Sequence, residues 1–430
     1  MQTRVAVVAL LSVALTVIAA AEPPRVKLGI DVLIDSDFAA LKGKKVGLIT
    51  NPTGLTRELR PTIDVLHKAP GVQLITLFGP EHGVRGEAVA GAKVDDARDA
   101  ITGLPAYSLY GKTRKATPEM LTGLDAVVFD VQDVGARSYT YISSMALAME
   151  TCAENGVEFI ILDRPNPIGG NRVEGRVLDP KFTSFVGQLP IPYCHGMTVG
   201  ELAQMINGEG WLGELTPQRG DLDAATDRSA APKKSLKCKL TVILMQGYTR
   251  DMIWSETGLR WVPTSPHIPR PESAFFYSIT GIVGELEVLN VGVGYTLPFE
   301  LVGHPQLDPL ALAAELSGRN LPGLQFRPIY YQPFYSHHTK KTCGGVQILL
   351  TDAKAADLTA TGLHITDAVR KLNPEIAFFE SKRNSMYDKV CGTDQIRKMF
   401  EQRKPIAEIV AAWRATTDEF RKQRAKYLLY

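Results

Sequence analysis

The sequence lacks the short motifs by which nucleotide-binding proteins and serine hydrolases are most often recognised. No Gly-x-Gly-x-x-Gly follows the first predicted strand and no complete Walker-type P-loop occurs, so nucleotide chemistry is not indicated. No Gly-x-Ser-x-Gly is present, which removes the usual nucleophile turn of serine hydrolases. The 48 Lys and Arg nearly balance the 46 Asp and Glu and are interspersed with them, so no nucleic-acid partner is predicted.

Cysteine is sparse as well, with five residues and no Cys-x-x-Cys spacing. This argues against a zinc site or a thioredoxin-like redox site. The His and Asp residues also lack the spacing of metal ligands, so neither a metal nor another cofactor is predicted. A chain of 430 residues can bury a core without covalent cross-links, so disulfides are permitted but not required.

Residues 1–21 have the pattern of a cleaved secretory signal peptide. Arg4 precedes an apolar run from Val5 to Ile18, and alanines at 19–21 offer small residues for cleavage. The run is short for a membrane span, although an uncleaved anchor is the alternative. No later segment is long and apolar enough to cross a bilayer. We therefore expect an exported protein, periplasmic or extracellular, with no integral membrane segment after signal cleavage.

Apolar runs alternate with helical patterns through the first half of the mature chain. The predicted strands are 45–50, 72–78, 126–131, 158–162 and 240–245, and the helical patterns are 57–68, 138–155 and 198–207, the last with a capping box. Continuous apolar strands separated by helices are typical of a parallel sheet covered on both faces. We predict an α/β fold, with a Rossmann-like, doubly wound, mostly parallel sheet over residues 25–255. A C-terminal mixed α/β auxiliary domain is predicted over residues 256–430.

Three predicted strands end in loops that are rich in side chains used in catalysis. In an open parallel sheet the carboxyl ends of the strands meet at one edge, where ligands bind. The catalytic candidates in these loops are Glu81, His82, Asp130 and Asp133. The candidates for substrate binding, there and in neighbouring loops, are Asn51, Arg85, Gln132, Arg137, Tyr139, Asp163, Arg164, Asn166 and His195.

The segment Gly79-Pro80-Glu81-His82-Gly83 is suited to holding a carboxyl group in a cleft. Proline fixes one backbone angle, and glycine allows tight turns and close approach of a ligand. A glutamic acid held against apolar walls keeps its proton near neutral pH and can donate it to a leaving oxygen. Taken alone, the segment is equally consistent with an exposed turn.

The other loops allow structural interpretations too. Asp133 could cap the helix that follows it, with Arg137 neutralising its charge. The prolines around Asn166 could serve only to stiffen a turn, and Tyr139 could be a packing residue rather than part of a cleft. His267, in a proline-rich segment at 261–271, could line the junction between the domains, although a core position is favoured.

Four strings of residues occur in an order and at spacings found in one known family. They are Leu48-Ile-Thr-Asn-Pro-Thr-Gly54, Leu77-Phe-Gly-Pro-Glu-His-Gly-Val-Arg-Gly86, Phe129-Asp-Val-Gln-Asp-Val-Gly-Ala-Arg137 with Tyr139-Thr-Tyr141, and Leu162-Asp-Arg-Pro-Asn-Pro-Ile-Gly-Gly170. Together they resemble the exo-acting β-N-acetylmuramidases (NamZ-like). The resemblance implies a Rossmann-like catalytic domain, an auxiliary domain and a cleft near their junction. It also implies release of N-acetylmuramic acid, or a related amino sugar, from the non-reducing end of a peptidoglycan-derived saccharide or muropeptide, with Glu81 as general acid and His82 beside it.

One segment departs from this resemblance. Many members of the family carry an arginine in a glycine-rich loop of the type Ser-x-Gly-Arg-Gly-Thr. This chain instead has Asn290-Val-Gly-Val-Gly-Tyr-Thr-Leu-Pro-Phe299. If the arginine binds the lactyl carboxylate of muramic acid, this chain needs another source of positive charge or takes a different amino sugar.

Two functions therefore compete. A glycoside hydrolase needs a second group besides Glu81, and the alternatives are Asp130, Asp133 and the acetamido group of the sugar itself. A non-catalytic protein that binds cell-wall sugars would have the same cleft without turnover. A nucleotide-dependent enzyme is a weaker third hypothesis, because its motifs are missing.

Overall fold

The computed structural model describes residues 26–86, 96–111, 113–213, 236–380 and 382–430. The signal peptide predicted at residues 1–21 lies outside these ranges. Within them, no helix combines the length and the apolar character that crossing a bilayer requires.

The N-terminal half is built around a sheet that is parallel except at one edge. Its strands are β1 (Lys45–Thr50), β2 (Gln73–Gly79), β3 (Ala97–Arg98), β4 (Pro105–Ser108), β5 (Ala126–Asp130), β6 (Glu158–Leu162) and β7 (Leu240–Ile243). They lie in the order β3-β4-β2-β1-β5-β6-β7, and the β3–β4 pair is the antiparallel one. Counted along the chain, the parallel strands have the order 3-2-1-4-5-6 of the Rossmann fold. The predicted doubly wound sheet is confirmed, and its order reverses between β1 and β5.

Helices bury both faces of this sheet, as its apolar strands require. They are α1 (Gly29–Asp35), α2 (Thr62–His67), α3 (Tyr141–Asn155) and α4 (Val199–Gly208). Successive residues of β5 point to opposite faces, so Phe129 packs with α3 and α4 whereas Val128 packs with α1 and α2. Every residue of β5 is buried, so this strand lies at the centre of the N-terminal half of the chain.

The C-terminal part has a smaller antiparallel sheet covered by helices. Its elements are α5 (Glu272–Gly284), β8 (Leu301–His304), α6 (Pro309–Gly318), β9 (Leu324–Tyr331), β10 (Cys343–Leu350), α7 (Leu358–Leu372), α8 (Asn384–Cys391), α9 (Gln395–Glu401) and α10 (Ile406–Arg424). β10 lies between β8 and β9 and is antiparallel to both. Phe326 on β9 is buried while its neighbour Arg327 is exposed, so one face of the sheet packs on the core. The predicted mixed α/β architecture is confirmed.

Some element boundaries differ from the sequence prediction. The short edge strands β3 and β4 lie between the predicted strands 72–78 and 126–131, where no strand was predicted. The helix predicted from residue 57 begins only at Thr62, because Leu59 adopts a left-handed conformation (φ 65°) that a right-handed helix cannot include. Helix α5 was not predicted, since Gly281 and Gly284 within it are typical of loops. A Cβ atom on Gly284 would lie only 2.9 Å from a methyl group of Val291, so close packing explains this glycine.

Asp163, the residue after β6, joins distant parts of the chain. Its carboxylate accepts hydrogen bonds from the Thr198 hydroxyl at 2.7 Å, the Gly200 amide at 2.8 Å and the Tyr430 hydroxyl at 2.8 Å. Thr198 is also the N-cap of α4 and forms the predicted capping box with Glu201. Asp163 is fully buried, and burial raises its pKa to about 6 although the three donors lower it.

We expect the substitution Asp163→Asn to remove one contribution to the pH dependence of stability. The folded protein keeps the Asp163 proton up to about pH 6, whereas the unfolded chain releases it near the ordinary pKa of 3.8. The stability that this proton confers is therefore fully present below about pH 4 and is lost as the pH rises through 6. Relative to D163N, the natural protein should lose about 3 kcal/mol of unfolding free energy across that interval, measured by urea denaturation. A difference that does not change with pH would contradict this account.

Candidate active site

A cavity of about 280 Å³ opens beside the carboxyl edge of the large sheet. Its described wall comes from both halves of the chain. The lining residues are Glu81, His82, Ser138, Tyr139, Thr140, Tyr141, Ser265, His267, Ile268, Tyr277, Glu285 and Phe299. This volume lies at the small end of the range for small-molecule sites, so the cavity suits one small ligand or the end of a longer one.

A larger cavity, of about 420 Å³, lies elsewhere and contains none of the predicted site residues. Its wall includes Arg172 and Arg250. Both arginines donate to backbone carbonyls, and they also pair with the partly buried Glu174 and the buried Glu201, so their side chains serve the protein framework. The smaller cavity is therefore the better candidate for chemistry.

The loop after β2 holds Glu81 at the cavity wall in a tightly folded backbone. His82 and Gly83 both adopt left-handed conformations, with φ of 77° and 79°. A Cβ atom on Gly79 would lie 3.1 Å from the Cα atom of Gly83, so the loop folds back on itself without room for a side chain there. A left-handed histidine is uncommon, and backbone strain of this kind concentrates at functional sites. The Thr140 hydroxyl donates to the Glu81 carboxylate at 3.4 Å.

Two tyrosines at the start of α3 form the wall beside Glu81. The rings of Tyr139 and Tyr141 meet edge to face, with centroids 4.9 Å apart. The Tyr141 hydroxyl donates to the Thr264 carbonyl at 2.5 Å, and the Tyr139 hydroxyl is hydrogen-bonded to the Thr264 hydroxyl at 2.7 Å. Burial raises the pKa of both tyrosines, and the nearby charge of Glu81 raises it further. Both hydroxyls therefore stay protonated, and they fix this wall to the following half of the chain.

Two histidines also line the cavity. His82 is buried, and His267 is partly buried. Burial lowers the pKa of His267, His82 lowers it further, and Glu81 raises it. A neutral imidazole donates from one ring nitrogen and accepts at the other, so His267 can bond to either kind of polar ligand group.

Three of the buried polar atoms that have no hydrogen-bond partner within the described part of the chain belong to predicted site residues in the loop after β5 and the loop before α4. They are Gln132 Oε1, Asp133 Oδ1 and His195 Nε2. The other oxygen of Asp133 accepts from the Gly135 amide at 2.7 Å and lies 3.8 Å from His195 Nε2. Asp133 is not among the lining residues, but its charge contributes to raising the pKa of Tyr139, which is one of them. Buried polar atoms without partners are rare and commonly mark a place for water or a ligand.

The remaining predicted site residues bond to the protein itself and lie outside the cavity lining. Arg164 Nε donates to Asp130 Oδ1 at 2.6 Å, and the Thr62 hydroxyl donates to the other Asp130 oxygen at 2.5 Å. Arg137 is buried and donates to three backbone carbonyls. Asp163 holds α4 and the C-terminal tyrosine, as described above. These contacts show that these side chains hold separate segments of the protein together. A role in substrate binding remains a prediction for each of these residues.

Three further candidates have similar local partners. Arg85 forms ion pairs with Asp99 at 2.5 Å and with Asp64 at 3.1 Å. The Asn51 side-chain oxygen accepts from both the amide and the hydroxyl of Thr53, which shapes the turn after β1. Asn166 donates to the Met197 carbonyl and accepts from the Ile168 amide. Of the sequence-predicted candidates, the structure thus brings Glu81, His82 and Tyr139 together in the cavity wall.

Several lining residues were not singled out from the sequence. They are Ser265, Ile268, Tyr277, Glu285 and Phe299. No motif links them to Glu81, from which they are separated by more than 180 residues of chain. His267 was considered for the junction, and the proline-rich segment around it was the available signal.

Two family models match the chain. The model of the N-terminal part of exo-β-N-acetylmuramidase NamZ matches residues 46–272, and the model of the C-terminal part matches residues 275–430. The chain belongs to the NamZ family. It is therefore a glycoside hydrolase, as the resemblance of its motifs implied.

Proteins similar in sequence, and two solved structures, agree with this fold over nearly the whole chain. The peptidoglycan β-N-acetylmuramidase NamZ of Bacillus subtilis (strain 168) is 42% identical over 410 residues, which span 95% of this chain and 92% of that protein. One DUF1343 family protein from Bacteroides fragilis NCTC 9343 has a crystal structure with a TM-score of 0.86 and 46% identity, covering 94% of this chain and 99% of its own. A second DUF1343 family protein from the same organism has a crystal structure with a TM-score of 0.74 and 31% identity, covering 95% of this chain and 99% of its own.

The glycine-rich loop that departs from the usual NamZ-family pattern places Phe299 in the cavity wall. Phe299 is itself left-handed, with φ of 66°. Among the described lining residues, the side chains that can carry a positive charge are His82 and His267. The positive charge expected from an arginine of this loop is therefore not reproduced within the lining.

We expect Asp130→Asn to destabilise the fold. The substitution leaves the buried Arg164 guanidinium without its counter-charge, a loss that commonly amounts to about 3 kcal/mol or more. Denaturation by urea would measure it. The matched control is Asp133→Asn, which retains an acceptor for the Gly135 amide and should cost about 1 kcal/mol or less. Equal losses of unfolding free energy in the two variants would show that the Asp130–Arg164 pair does not contribute more to stability than the Asp133 contacts do.

Proposed function

We propose that this protein is an exo-β-N-acetylmuramidase that uses Glu81 as its general acid. It would release N-acetylmuramic acid, or a related amino sugar, from the non-reducing end of peptidoglycan fragments. The observation that carries the proposal is the position of the Glu81 carboxyl group in the wall of a small cavity between the two halves of a NamZ-family chain. The name of the Bacillus subtilis relative supports the choice of substrate.

The shape of the cavity favours action on a terminal sugar. About 280 Å³ accommodates little more than one substituted ring, which suits a terminal sugar better than several consecutive units of a chain. Glycosidases protonate the leaving oxygen with one carboxyl group, and Glu81 lies in the wall where that oxygen would arrive. The tyrosine hydroxyls beside it are bonded to Thr264, and their oxygens could still accept hydrogen bonds from sugar hydroxyls.

Asp133 is the better candidate for the second group. Asp130 has both of its carboxylate oxygens bonded, to Arg164 and Thr62, and is fully buried. Asp133 retains one oxygen without a described partner and acts electrostatically on Tyr139. A carboxylate in this position could orient a water molecule or the acetamido group of the sugar and stabilise positive charge on the ring.

His82 and His267 are our candidates for recognising the carboxylate of muramic acid. They are the described lining residues whose side chains can present N–H donors and take up a positive charge, and burial favours the neutral form of His267 by lowering its pKa. A histidine can bind an anion as the imidazolium ion or, more weakly, as a neutral donor. This choice follows from the lack of an arginine in the glycine-rich loop.

We also propose that the enzyme works outside the cytoplasm, in the periplasm or the medium. The support is the signal-like sequence at residues 1–21 and the location of peptidoglycan itself. Amino-terminal sequencing of protein recovered from each cell fraction tests this. An uncleaved chain retained in the cytoplasm would contradict it.

We expect Glu81→Gln to lower kcat on 4-nitrophenyl N-acetylmuramide by about 100-fold or more, because general acid catalysis commonly contributes that much. Binding of N-acetylmuramic acid, measured by calorimetry, should remain within a few-fold of the natural protein. The matched control is Glu285→Gln, which removes the other described carboxylate of the lining and should change kcat much less. Glu285 lies 3.4 Å from the Arg383 guanidinium, so its charge is already engaged.

The outcomes test the substrate and the proton donor separately. Ligand binding without turnover in the natural protein would show that N-acetylmuramides are not substrates of this hydrolase. Undiminished turnover in E81Q would show that another group donates the proton.

We expect Asp133→Asn to lower kcat by about tenfold to 100-fold with a small effect on stability, because it removes a negative charge near the reacting sugar. The pH profile of kcat should change as well, since an ionisable group is lost. Unchanged kcat and an unchanged profile would exclude Asp133 from the reaction.

A further inference from the structure

An exposed aromatic cluster lies beside the cavity. Phe334 and Tyr335, in the loop after β9, expose 70% and 53% of their surface. The rings of Phe334 and Tyr295 are stacked, with centroids 6.0 Å apart and planes 29° apart. Contiguous exposed aromatic groups are uncommon on soluble proteins and often mark a binding surface. We call Tyr295, Phe334 and Tyr335 the aromatic platform.

The aromatic platform is connected directly to the cavity. The Tyr335 hydroxyl and His267 Nε2 are joined by a hydrogen bond of 2.8 Å, and the centroids of the two rings lie 6.0 Å apart. His267 is itself part of the cavity wall with Glu81. A ligand that leaves the cavity past His267 would therefore meet Tyr335 and then Phe334.

The backbone beneath the aromatic platform is held in place. The Phe334 amide donates to the Gly294 carbonyl at 2.7 Å, and a Cβ atom on Gly294 would lie 2.0 Å from the Tyr335 carbonyl oxygen. Ser336 and His338 adopt left-handed conformations, with φ of 70° and 61°. Backbone strain in non-glycine residues is retained mainly where a particular geometry is needed. The rings are thus presented by a preorganised loop, which reduces the entropy lost on binding.

The platform is also anchored from below by β9. Tyr295 packs on the buried ring of Tyr331 at 5.3 Å. The Tyr331 hydroxyl lies 3.0 Å from the Asn290 carbonyl oxygen and 2.9 Å from its side-chain oxygen, and it can donate its one proton to either. Asn290 in turn donates to the His337 carbonyl at 2.9 Å. The exposed rings therefore rest on a bonded, buried layer rather than on a free loop.

We propose that the aromatic platform binds the saccharide on the leaving-group side of the cleaved bond. The inference rests on the proposed function, because an exo-acting cavity holds only the terminal sugar and the rest of the chain must lie outside it. The C–H faces of sugar rings are apolar and flat, so they can stack on exposed aromatic rings and remove both surfaces from water. The platform would thus select oligosaccharides over substrates that end at the cleaved bond.

The test compares two substrates in wild-type enzyme and in Phe334→Ala. One is 4-nitrophenyl N-acetylmuramide, and the other is a tetrasaccharide with N-acetylmuramic acid at its non-reducing end. We expect the ratio of kcat/KM for the tetrasaccharide to kcat/KM for the aryl glycoside to fall about tenfold in F334A, mainly through KM, because an aromatic contact is lost. Phe334→Trp, which keeps a large ring, should retain the ratio of the natural enzyme.

Tyr330→Ala is the matched control. Tyr330 is 67% exposed and adjacent to Tyr331 on β9, but successive residues of a strand point to opposite faces, so it lies away from the platform. Its replacement should leave the ratio unchanged. If F334A shifts the ratio no more than Y330A does, or if F334W fails to retain it, the platform proposal is overturned while the hydrolase function stands. If the natural enzyme cleaves neither substrate, the proposed function fails, and the inference falls with it.

Discussion

The carboxyl edge of the large sheet depends on one buried ion pair, between Asp130 at the end of β5 and Arg164 after β6. Arg164 also donates to the Leu55 carbonyl, and Thr62 donates to Asp130, so the pair joins the loops that follow β1, β5 and β6. These loops meet where the strand order reverses, which is the usual ligand position in such sheets. A buried pair adds little net stability, but removing either partner is costly, so it specifies one arrangement of the loops. Glycosidic chemistry needs such a rigid edge, because a proton donor must be held in a fixed direction.

The cavity also requires the second half of the chain. Tyr139 and Tyr141, at the start of α3, are bonded to Thr264, and His267 completes the wall from the same segment. Buried arginines cross the junction as well: Arg137 donates to the Val390 carbonyl, and Arg424 donates to the Gly170 carbonyl. Guanidinium groups offer several donors in a fixed plane, so each can satisfy carbonyls from two or more segments at once. The Rossmann-like half alone would present Glu81 beside the tyrosine wall but without the side of the cavity that residues 265–299 supply.

The sequence predicted the large sheet well, because its strands are continuous apolar runs. Each run is followed by a loop whose polar, proline or glycine residues mark the end of the strand. The sequence was less informative about the site, since catalytic and framework residues are of the same types. Asp130, Arg137 and Arg164 are as polar as Glu81. What distinguishes them is that their hydrogen-bond partners are other protein groups, which lie far away in the chain. Burial patterns could not separate them either, because a buried arginine needs carbonyl partners that no local pattern reveals. The wall contributed by Tyr277, Glu285 and Phe299 depends on tertiary packing alone.

The glycine-rich loop links the enclosed cavity to the open surface beside it. Phe299 at one end of this loop lines the cavity, and Gly294 within it supports the backbone of Phe334 and Tyr335. Many relatives are expected to place an arginine in this loop, where charge would recognise a carboxylate. In this chain the same loop supplies aromatic surface, which recognises apolar ring faces and is insensitive to ionic strength. If the aromatic platform binds saccharide as proposed, this loop would add selectivity for the length of the attached saccharide, without disturbing the carboxyl group proposed to donate the proton.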